Sequence, residues 1–449
     1  MIQLKRFLWN LIYSLGNLRL AIILLLMIAT VSSLGTVIEQ DKTVSFYEIN
    51  YPSSNPIAGF VSSDLILFLG LDHIYTVPWF LLLLVVFGLS LASCTLSRQI
   101  PSLKLARIWK FFKNKKRSNQ TGISFTINRI SLNQLAYALR ERQYNVIQQG
   151  PYMYAYKGLI GKIGPILVHI SIILILIGAV LGVFSGFMVQ ELVPKGEIFH
   201  LQNIVSSGPL SYIRQDFEGY IQDFSIAYND QGVVDQFYSD IHLLDSNLNL
   251  KSKKTIFVNE PLRNEGITFY QTDWSIVRLR VKVNDKNSNE IPLQEITTAN
   301  NSRFWIGSVN LGIEKTRLLI VLQDLTGKCL LYDSDKKLLA ESEIGHKVFI
   351  KGDSFRIENI IPSSGIQIKS DPGIPLVYIG FFLLIFSTLF SYTSYFQIWA
   401  IRKNDDLYFY GDTNRAIYFF EKNILEIIDV LQSERVSIEK KVSIHSNFR

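Results

Sequence analysis

The hydrophobic residues of this chain are concentrated in four long, uninterrupted stretches. Residues 20–38, 77–96, 163–187 and 374–396 contain no Lys, Arg, Asp or Glu. About 20 consecutive apolar residues are enough for a helix to cross the hydrocarbon core of a bilayer. The pattern therefore predicts four transmembrane helices.

The first stretch also has the basic flank of a secretory signal peptide, because Lys5, Arg6 and Arg19 precede it. Its apolar core is long for a signal peptide, and the residues that follow, SSLGTVIEQ, resemble a cleavage site only weakly. Three more apolar stretches come after it. We therefore expect a retained membrane anchor.

Residues 188–373 alternate apolar and polar side chains with the period of two that is typical of β-strands. DFSIAYNDQGVVDQFYSDIHLLD and RLLIVLQDLTGKCLLYD each place a turn signal between two alternating runs, which indicates hairpins. Strands at this spacing predict an antiparallel sandwich or barrel.

A smaller α+β module is predicted at residues 121–158. The segments ISFTIN, YNVIQQ and YMYAYK alternate as strands do, and Ser131 with Gln134 fits a capping box that opens the helix LNQLAYALRERQ. Nothing in this module has the spacing of catalytic residues.

The charges between the apolar stretches predict how the chain is oriented. Residues 1–19 hold three basic residues and no acid, and residues 97–162 hold 13 basic residues and one acid. Residues 39–76 instead hold one basic residue and five acids. Because short loops rich in Lys and Arg stay on the cytoplasmic side, 1–19, 97–162 and the tail 397–449 are predicted inside. Residues 39–76 and the β domain of residues 188–373 are then extracytoplasmic, or lumenal.

A basic run from Arg98 to Arg117 contributes most to the net charge of +7. Such a run directly after a membrane span sets topology or contacts anionic head groups more often than it binds nucleic acid. The net charge therefore indicates orientation in a membrane, and we expect no nucleic-acid partner.

His169 is the one histidine of six that lies inside a predicted span. An ionisable side chain in hydrocarbon is costly and marks a candidate functional site. Counted from the start of the third stretch, it lies about 9 Å from the inner end. An imidazole in an apolar site can be an axial ligand of haem iron, or it can simply bond a carbonyl or hydroxyl of a neighbouring helix.

Three glycines follow His169 on the same stretch at four-residue spacing: Gly178, Gly182 and Gly186. Small residues at this spacing allow close helix packing. The nine-residue step from His169 to Gly178 is about half a turn at about 100° per residue, so the histidine is predicted on a different face from the glycines.

The two cysteines, Cys94 in the second stretch and Cys329 in the predicted β domain, are too few for a disulfide scaffold or a zinc knuckle. Cys94 is a redox candidate, although a buried free cysteine is usually a small apolar filler. His73, beside Asp72 at the outer end of the second stretch, is a weaker candidate ligand for haem or a metal. The remaining histidines are predicted in loops: His200, His242, His346 and His445.

No hydrolase, metalloprotease or nucleotide-binding motif occurs in usable context, and no metal-ligand cluster is evident. We therefore expect no independent enzymatic activity. The pattern indicates a chain that binds, holds or hands over something at a membrane.

Several segments together resemble the ResB-like (CcsB-type) cytochrome c biogenesis family, from near the amino end to about Tyr395. The similar segments within or beside the spans are LRLAIILLLMIATVSSLGTVIEQ, IYTVPWFLLLLVVFGLSLASCTLSRQIP, GLIGKIGPILVHISIILILIGAVLG and DPGIPLVYIGFFLLIFSTLFSY. Two others, DFSIAYNDQGVVDQFYSDIHLLD and KTIFVNEPLRNEGITFYQTDW, lie in the predicted β domain. Their order, spacing and topology carry the resemblance.

The resemblance implies a subunit that works with a CcsA-like membrane protein to bring haem to the outer side and hold reduced apocytochrome c for haem attachment. His169 corresponds to the family's third-span histidine, which is implicated as a haem ligand, and Cys94 to a second-span cysteine without a settled role. The resemblance further implies a plastid thylakoid membrane, or a cyanobacterial thylakoid or plasma membrane, with both termini on the stromal or cytoplasmic side.

Two other functions remain open. The first is a thiol-handling enzyme that reduces apocytochrome cysteines through Cys94 or Cys329, against which the absence of a two-cysteine motif argues. The second is a structural scaffold for a membrane assembly complex, in which His169 only satisfies a contact between helices.

Overall fold

A computed structural model gives the fold of the chain. It describes residues 2–56, 59, 61–108, 111, 123–128, 130–214, 217–230, 234–285, 287–298, 302–311, 316–350, 352–404 and 406–446. Five of the eight basic residues between Arg98 and Arg117 lie outside the described residues. The chain divides into two compact units, one formed by residues 1–180 with 375–449 and the other by residues 181–374.

Ten α-helices occur in the described residues. They are α1 (Ile2–Leu15), α2 (Leu18–Val37), α3 (Val44–Asn50), α4 (Ser63–Leu69), α5 (Pro78–Cys94), α6 (Ile100–Ala106), α7 (Leu132–Glu141), α8 (Ile160–Ser185), α9 (Ile374–Ser391) and α10 (Ile417–Ser446).

Four of these helices are long and apolar enough to span a membrane: α2, α5 with its continuation, α8 and α9. The prediction of four membrane helices is therefore confirmed. Leu24 of α2 packs with Phe87 and Leu91 of α5, and Ile172 and Leu176 of α8 lie against them.

The second span is longer than the pattern of uncharged residues suggested. A π-helical turn at Thr95–Gln99 connects α5 to α6, so the helix runs from Pro78 to Ala106 instead of ending at residue 96. The basic residues Arg98 and Lys104 are thus part of this helix. A charged side chain at a helix end can reach the membrane surface through its apolar stem, which explains why charge did not mark the end.

The third and fourth spans also shift by a few residues. Helix α8 begins before Lys162, whose ammonium group lies 5.5 Å from the centre of the Tyr395 ring. Helix α9 ends at Ser391, where the Thr393 amide already donates to the Phe390 carbonyl in a turn. The predicted limits 163–187 and 374–396 differ from these bounds because they exclude the charged Lys162 and include the turn after Ser391.

An α+β domain forms from two distant parts of the chain within the first unit. Its strands are β1 (Ile123–Asn128), β2 (Asn145–Gln149), β3 (Tyr152–Lys157), β20 (Phe396–Lys403) and β21 (Asp406–Thr413). They form an antiparallel sheet in the order β1-β21-β20-β3-β2. Helices α7 and α10 contribute Leu135, Leu139, Phe420 and Ile424 to its buried core.

The strands and helix expected at residues 121–158 are confirmed where the chain is described, including the capping box of Ser131 and Gln134. The description of residues 397–449 as a separate tail is wrong. Strand β20 lies between β3 and β21, and so the tail supplies two inner strands of the same sheet. Pairing between strands this distant in sequence leaves no local pattern.

The second unit is built from antiparallel strands. They are β4 (Phe187–Pro194), β5 (Ile198–Phe199), β6 (Ile204–Ser207), β7 (Phe217–Tyr228), β8 (Val234–Asp245), β9 (Leu250–Ile256), β10 (Leu262–Asn264), β11 (Ile267–Val283), β12 (Ser288–Pro292), β13 (Gln294–Thr297), β14 (Arg303–Leu311), β15 (Thr316–Leu322), β16 (Lys328–Tyr332), β17 (Leu338–Glu343), β18 (Lys347–Ile350) and β19 (Asp353–Ser370).

These strands make three sheets, with the orders β10-β11-β19-β4-β6, β13-β14-β15-β16-β17 and β5-β7-β8-β9; β12 and β18 pair with the first. The predicted hairpins appear as β7–β8 and β15–β16. The large antiparallel β domain between the third and fourth spans is therefore confirmed.

Candidate functional site

The second span changes its helical register at the level of His169. At Thr95–Gln99 the backbone follows a π-helical turn, in which the Ile100 amide donates to the Thr95 carbonyl five residues earlier. Pro101 follows and has no amide hydrogen with which to continue an α-helical ladder. Thr95 and Gln99 are four residues apart and lie on one side of the helix, with Thr95 Oγ1 3.4 Å from Gln99 Oε1.

His169 on α8 contacts this turn with both ring nitrogens. Its Nδ1 lies 3.0 Å from Thr95 Oγ1 and 3.4 Å from the Leu91 carbonyl oxygen. Its Nε2 lies 3.2 Å from Gln99 Nε2. The Thr95 hydroxyl in turn donates to the Leu91 carbonyl at 2.9 Å. The imidazole therefore connects the second and third spans.

The tautomer of His169 is tied to the orientation of the Gln99 amide. With the amide nitrogen of Gln99 facing Nε2, as in this structure, Gln99 donates to Nε2, and this orientation pairs with the tautomer in which Nε2 carries the lone pair. The proton then sits on Nδ1, which donates to Thr95 Oγ1 while the hydroxyl hydrogen of Thr95 points to the Leu91 carbonyl. The three described polar partners of His169 are all uncharged.

This arrangement is compatible with both interpretations of His169 that the sequence left open, a structural contact and a metal ligand. It satisfies the histidine with a hydroxyl, a carbonyl and an amide of the neighbouring helix, as a purely structural contact would. In the orientation with the Gln99 amide nitrogen towards the ring, it also leaves Nε2 with the lone pair that a metal would bind. Among the described residues no group of three or more His, Cys, Asp or Glu could hold a metal ion. A metal bound at His169 would therefore need further ligands from a porphyrin or another molecule.

Cys94 immediately precedes the π turn and is half-buried as a free thiol. Its backbone nitrogen faces Gly16, where an added Cβ would come within 3.3 Å of it. On the same side of α5, the Ser90 hydroxyl donates to the Leu15 carbonyl at 2.7 Å. These contacts fasten the segment between α1 and α2 to the second span.

Cys329 lies on β16 and is buried in an apolar core with Trp305, Leu322 and Leu331. Burial raises the pKa of the Cys329 thiol to about 11. Since the thiolate is the reactive form of cysteine, this site suits packing and disfavours thiol chemistry.

His73 lies in the loop that precedes α5, with its side chain 45% exposed and Nδ1 2.9 Å from Asp72 Oδ1. The loop is held by Gln40, whose amide donates to the Leu71 carbonyl at 3.0 Å and accepts from the Ile74 amide at 3.0 Å. His73 is thus accessible and beside one carboxylate, but it is not part of a group of three or more His, Cys, Asp or Glu among the described residues.

The glycines that allow close packing on α8 differ in part from those predicted. A Cβ at Gly161 would overlap the backbone of Thr393, just beyond α9. A Cβ at Gly164 would overlap the backbone of Ser391, the last residue of α9. A Cβ at Gly182 would overlap the Asp371 carboxylate. The three-residue spacing in GLIGKIG is the available signal for the first pair, whereas the prediction rests on the four-residue spacing alone.

Thr95 and Gln99 are not predicted from the sequence pattern as partners of His169. They lie 74 and 70 residues from their partner His169, and no periodicity reports which side chains of two spans face each other. The one available signal was the short polar run TLSRQ at the end of an apolar stretch.

Comparison with known proteins places the chain in a family. Residues 18–314 match the model of the ResB-like family. Over 437 residues the chain is 53% identical to the cytochrome c biogenesis protein Ccs1 of Rhodomonas salina, covering 96% of this chain and 99% of that protein. It is 46% identical to Ccs1 of Pyropia yezoensis over 93% of this chain and 95% of that protein. It is 42% identical to the cytochrome c biogenesis protein CcsB of Thermosynechococcus vestitus over 92% and 94%. The chain belongs to the ResB-like family.

Proposed function

We propose that this chain is a membrane component of c-type cytochrome biogenesis, and that His169 is an axial ligand of haem as haem passes to apocytochrome c. The names of its relatives in algae and a cyanobacterium support the first part. The imidazole of His169, held within a membrane helix with its Nε2 against an uncharged amide, supports the second.

The geometry around His169 fits haem better than it fits a small metal ion. An iron porphyrin brings four nitrogen ligands of its own and needs from the protein only one or two axial groups. A single imidazole without nearby carboxylates meets that need. Thr95 accepts the Nδ1 hydrogen, which keeps the ring in one orientation and makes Nε2 more basic.

The orientation we propose has both termini and the α+β domain on the stromal or cytoplasmic side. Strands β1 to β3 and strands β20 and β21 form one sheet, so they lie on the same side of the membrane. The two spans between β3 and β20 are consistent with this, because an even number of crossings returns the chain to the same side. The lysines and arginines around the first and second spans support the inner side for this domain. The β domain then lies in the lumen or periplasm, and the thylakoid is the proposed membrane in a plastid.

The proposed partners are a CcsA-like membrane protein and reduced apocytochrome c. In this arrangement His169 holds haem in the membrane, and the β domain holds the apocytochrome where its Cys-x-x-Cys-His segment can receive haem. When bound, haem supplies the group to be attached; the residues of this chain orient haem and apocytochrome.

The test is the visible spectrum of the full chain copurified with its CcsA-like partner, together with the yield of c-type cytochrome in the same cells. We expect His169→Gly to lose most of the copurified haem and of the cytochrome yield, and added imidazole to restore part of both. His73→Gly is the matched control and should retain the haem of the unchanged chain.

A His169→Gly chain that keeps the same haem and the same cytochrome yield without added imidazole would refute the ligand assignment. A chain that never carries haem, yet restores cytochrome assembly when supplied, would favour the scaffold function instead. The hydrogen bonds of His169 to Thr95 and Gln99 are the observation that keeps this second function open.

A further inference from the structure

Two side chains of the π turn contact the two ring nitrogens of His169, and they differ in burial and in how they are held. Thr95 is buried, and its hydroxyl is fixed between the Leu91 carbonyl and Nδ1. Gln99 is half-buried and covers Nε2, and its amide oxygen makes only a long contact of 3.4 Å with Thr95 Oγ1. The Thr95 side chain is thus held by contacts of 2.9 and 3.0 Å, whereas the Gln99 amide is held by contacts of 3.2 and 3.4 Å.

From this asymmetry we infer that Thr95 is a positioning residue for His169 and that Gln99 is a displaceable cover on its Nε2. The inference rests on the proposed function, because it describes how the imidazole is prepared for the iron of a porphyrin. Iron and the Gln99 amide need the same lone pair, so the Gln99 side chain must swing away before iron can bind.

The position of the cover at the end of a long, flexible side chain makes this displacement inexpensive. Gln99 has three rotatable bonds before its amide, and its removal from Nε2 leaves the Thr95 contact intact. A covered Nε2 is also satisfied while no haem is present, so the imidazole does not remain as an unpaired acceptor within the membrane. The exchange costs about one hydrogen bond and gains an iron–nitrogen bond.

The cover restricts what His169 can bind. A weak ligand cannot displace the amide, whereas an iron porphyrin, which forms a strong bond with imidazole, can. Since no carboxylate is among the described polar partners of the ring, the site is not arranged to hold a proton or a free divalent ion. The chemical class that fits the covered imidazole is therefore a metal complex that brings its other ligands with it and has one open axial position.

The test compares Gln99→Leu, which removes the cover, with Thr95→Val, which keeps the shape of the side chain and removes its acceptor. The full chain with its partner is freed of haem and titrated with ferric haem, and the Soret band gives the affinity and the association rate. We expect Gln99→Leu to raise the affinity by about two- to tenfold, the value of one net hydrogen bond, and to speed association.

Thr95→Val should act in the opposite direction. Loss of the acceptor makes Nε2 less basic, so haem affinity falls and the midpoint potential of the bound iron rises. Thr95→Ser, which restores a hydroxyl, should recover both values. Ser97→Ala is the matched control, because its hydroxyl lies on the same turn and donates to the Ser93 carbonyl.

The cover is refuted if Gln99→Leu leaves haem affinity and association rate unchanged or lowers them. A positioning role of Thr95 is refuted if Thr95→Val leaves the midpoint potential unchanged. A haem-free measurement separates these failures from failure of the ligand assignment: thermal unfolding of His169→Ala, Gln99→Leu and the double variant.

In that cycle the two single changes should be non-additive, because each removes the same hydrogen bond. If His169→Gly keeps its haem while the cycle is non-additive, the ligand assignment fails and the Gln99 contact stands. If His169→Gly loses haem while the cycle is additive and Gln99→Leu binds normally, the assignment stands and the cover is refuted.

Discussion

Replacement of Gly161 by alanine should weaken the contact between the third and fourth spans. Gly161 is buried on α8, and an added Cβ would overlap the carbonyl oxygen of Thr393 just beyond α9. The obstructing atom belongs to the backbone, so it cannot rotate away as a side chain could. Relief requires the start of α8 and the end of α9 to move apart.

The size of the effect follows from two opposed contributions. Overpacking of a close contact typically costs about 1–3 kcal/mol, and the better helix propensity of alanine returns at most about 1 kcal/mol. We therefore expect Gly161→Ala to destabilise the first unit by about 1–2 kcal/mol. Gly88→Ala is the matched control, because the nearest atom to its Cβ is Leu176 Cδ1 at 3.5 Å, an ordinary contact.

The assay is thermal unfolding of the purified chain in detergent, with proteolysis of the α+β domain as a second measure of opening. Gly161→Ala should unfold a few degrees below the unchanged chain, and proteases should cleave near residues 391–396 sooner. Gly88→Ala should unfold at the same temperature or slightly higher. Equal unfolding temperatures and equal cleavage rates for the two variants would refute the reasoning from the Thr393 carbonyl.

Three other predictions concern separate parts of the chain. Burial raises the pKa of the Cys329 thiol to about 11, so this thiol should resist alkylation at pH 8 in the folded chain and react once urea unfolds it. Fast labelling of the folded chain would contradict this. Maturation of cytochromes by a Cys94→Ser, Cys329→Ser chain would rule out the thiol-handling function. Ser131→Ala deletes the capping box of α7 and should cost about 1 kcal/mol, read as a lower unfolding temperature of the α+β domain; an unchanged temperature would show that the cap is not stabilising. The hydrogen bond from Arg303 holds the pKa of the Glu295 carboxyl below its ordinary value, so the pair stabilises the β domain at pH values above the ordinary carboxyl pKa, and this stabilisation is lost as the pH falls through the lowered pKa. Tryptophan fluorescence should report the loss, because the Arg303 guanidinium lies 5.4 Å from the centre of the Trp274 ring. Glu295→Gln should make this acid transition shallower.

Local patterns in the sequence were sufficient for the elements that depend on local physics. Uncharged stretches predicted the four spans, turn signals predicted the hairpins β7–β8 and β15–β16, and Ser131 with Gln134 predicted the start of α7. Each of these features depends on residues that are near one another in the chain.

Features that depend on distant residues were not predictable in this way. Strand β20 pairs with β3, more than two hundred residues earlier, and its alternation alone does not identify the partner. The π turn and the partners of His169 depend on which faces of two spans meet. Hydrophobicity is uniform around such helices, so it carries no information about the facing side chains.

The same uniformity explains why the environment of His169 matters more than its presence. In an apolar span, the choice between a structural histidine and a ligand depends on whether Nε2 can be released at low cost. Thr95 holds Nδ1 from a buried position, and Gln99 holds Nε2 from a half-buried, flexible one. A histidine with only a structural role would gain from firm contacts on both nitrogens. The shorter contact on Nδ1 and the longer contact on Nε2 therefore support the proposal that Nε2 is the atom that binds haem.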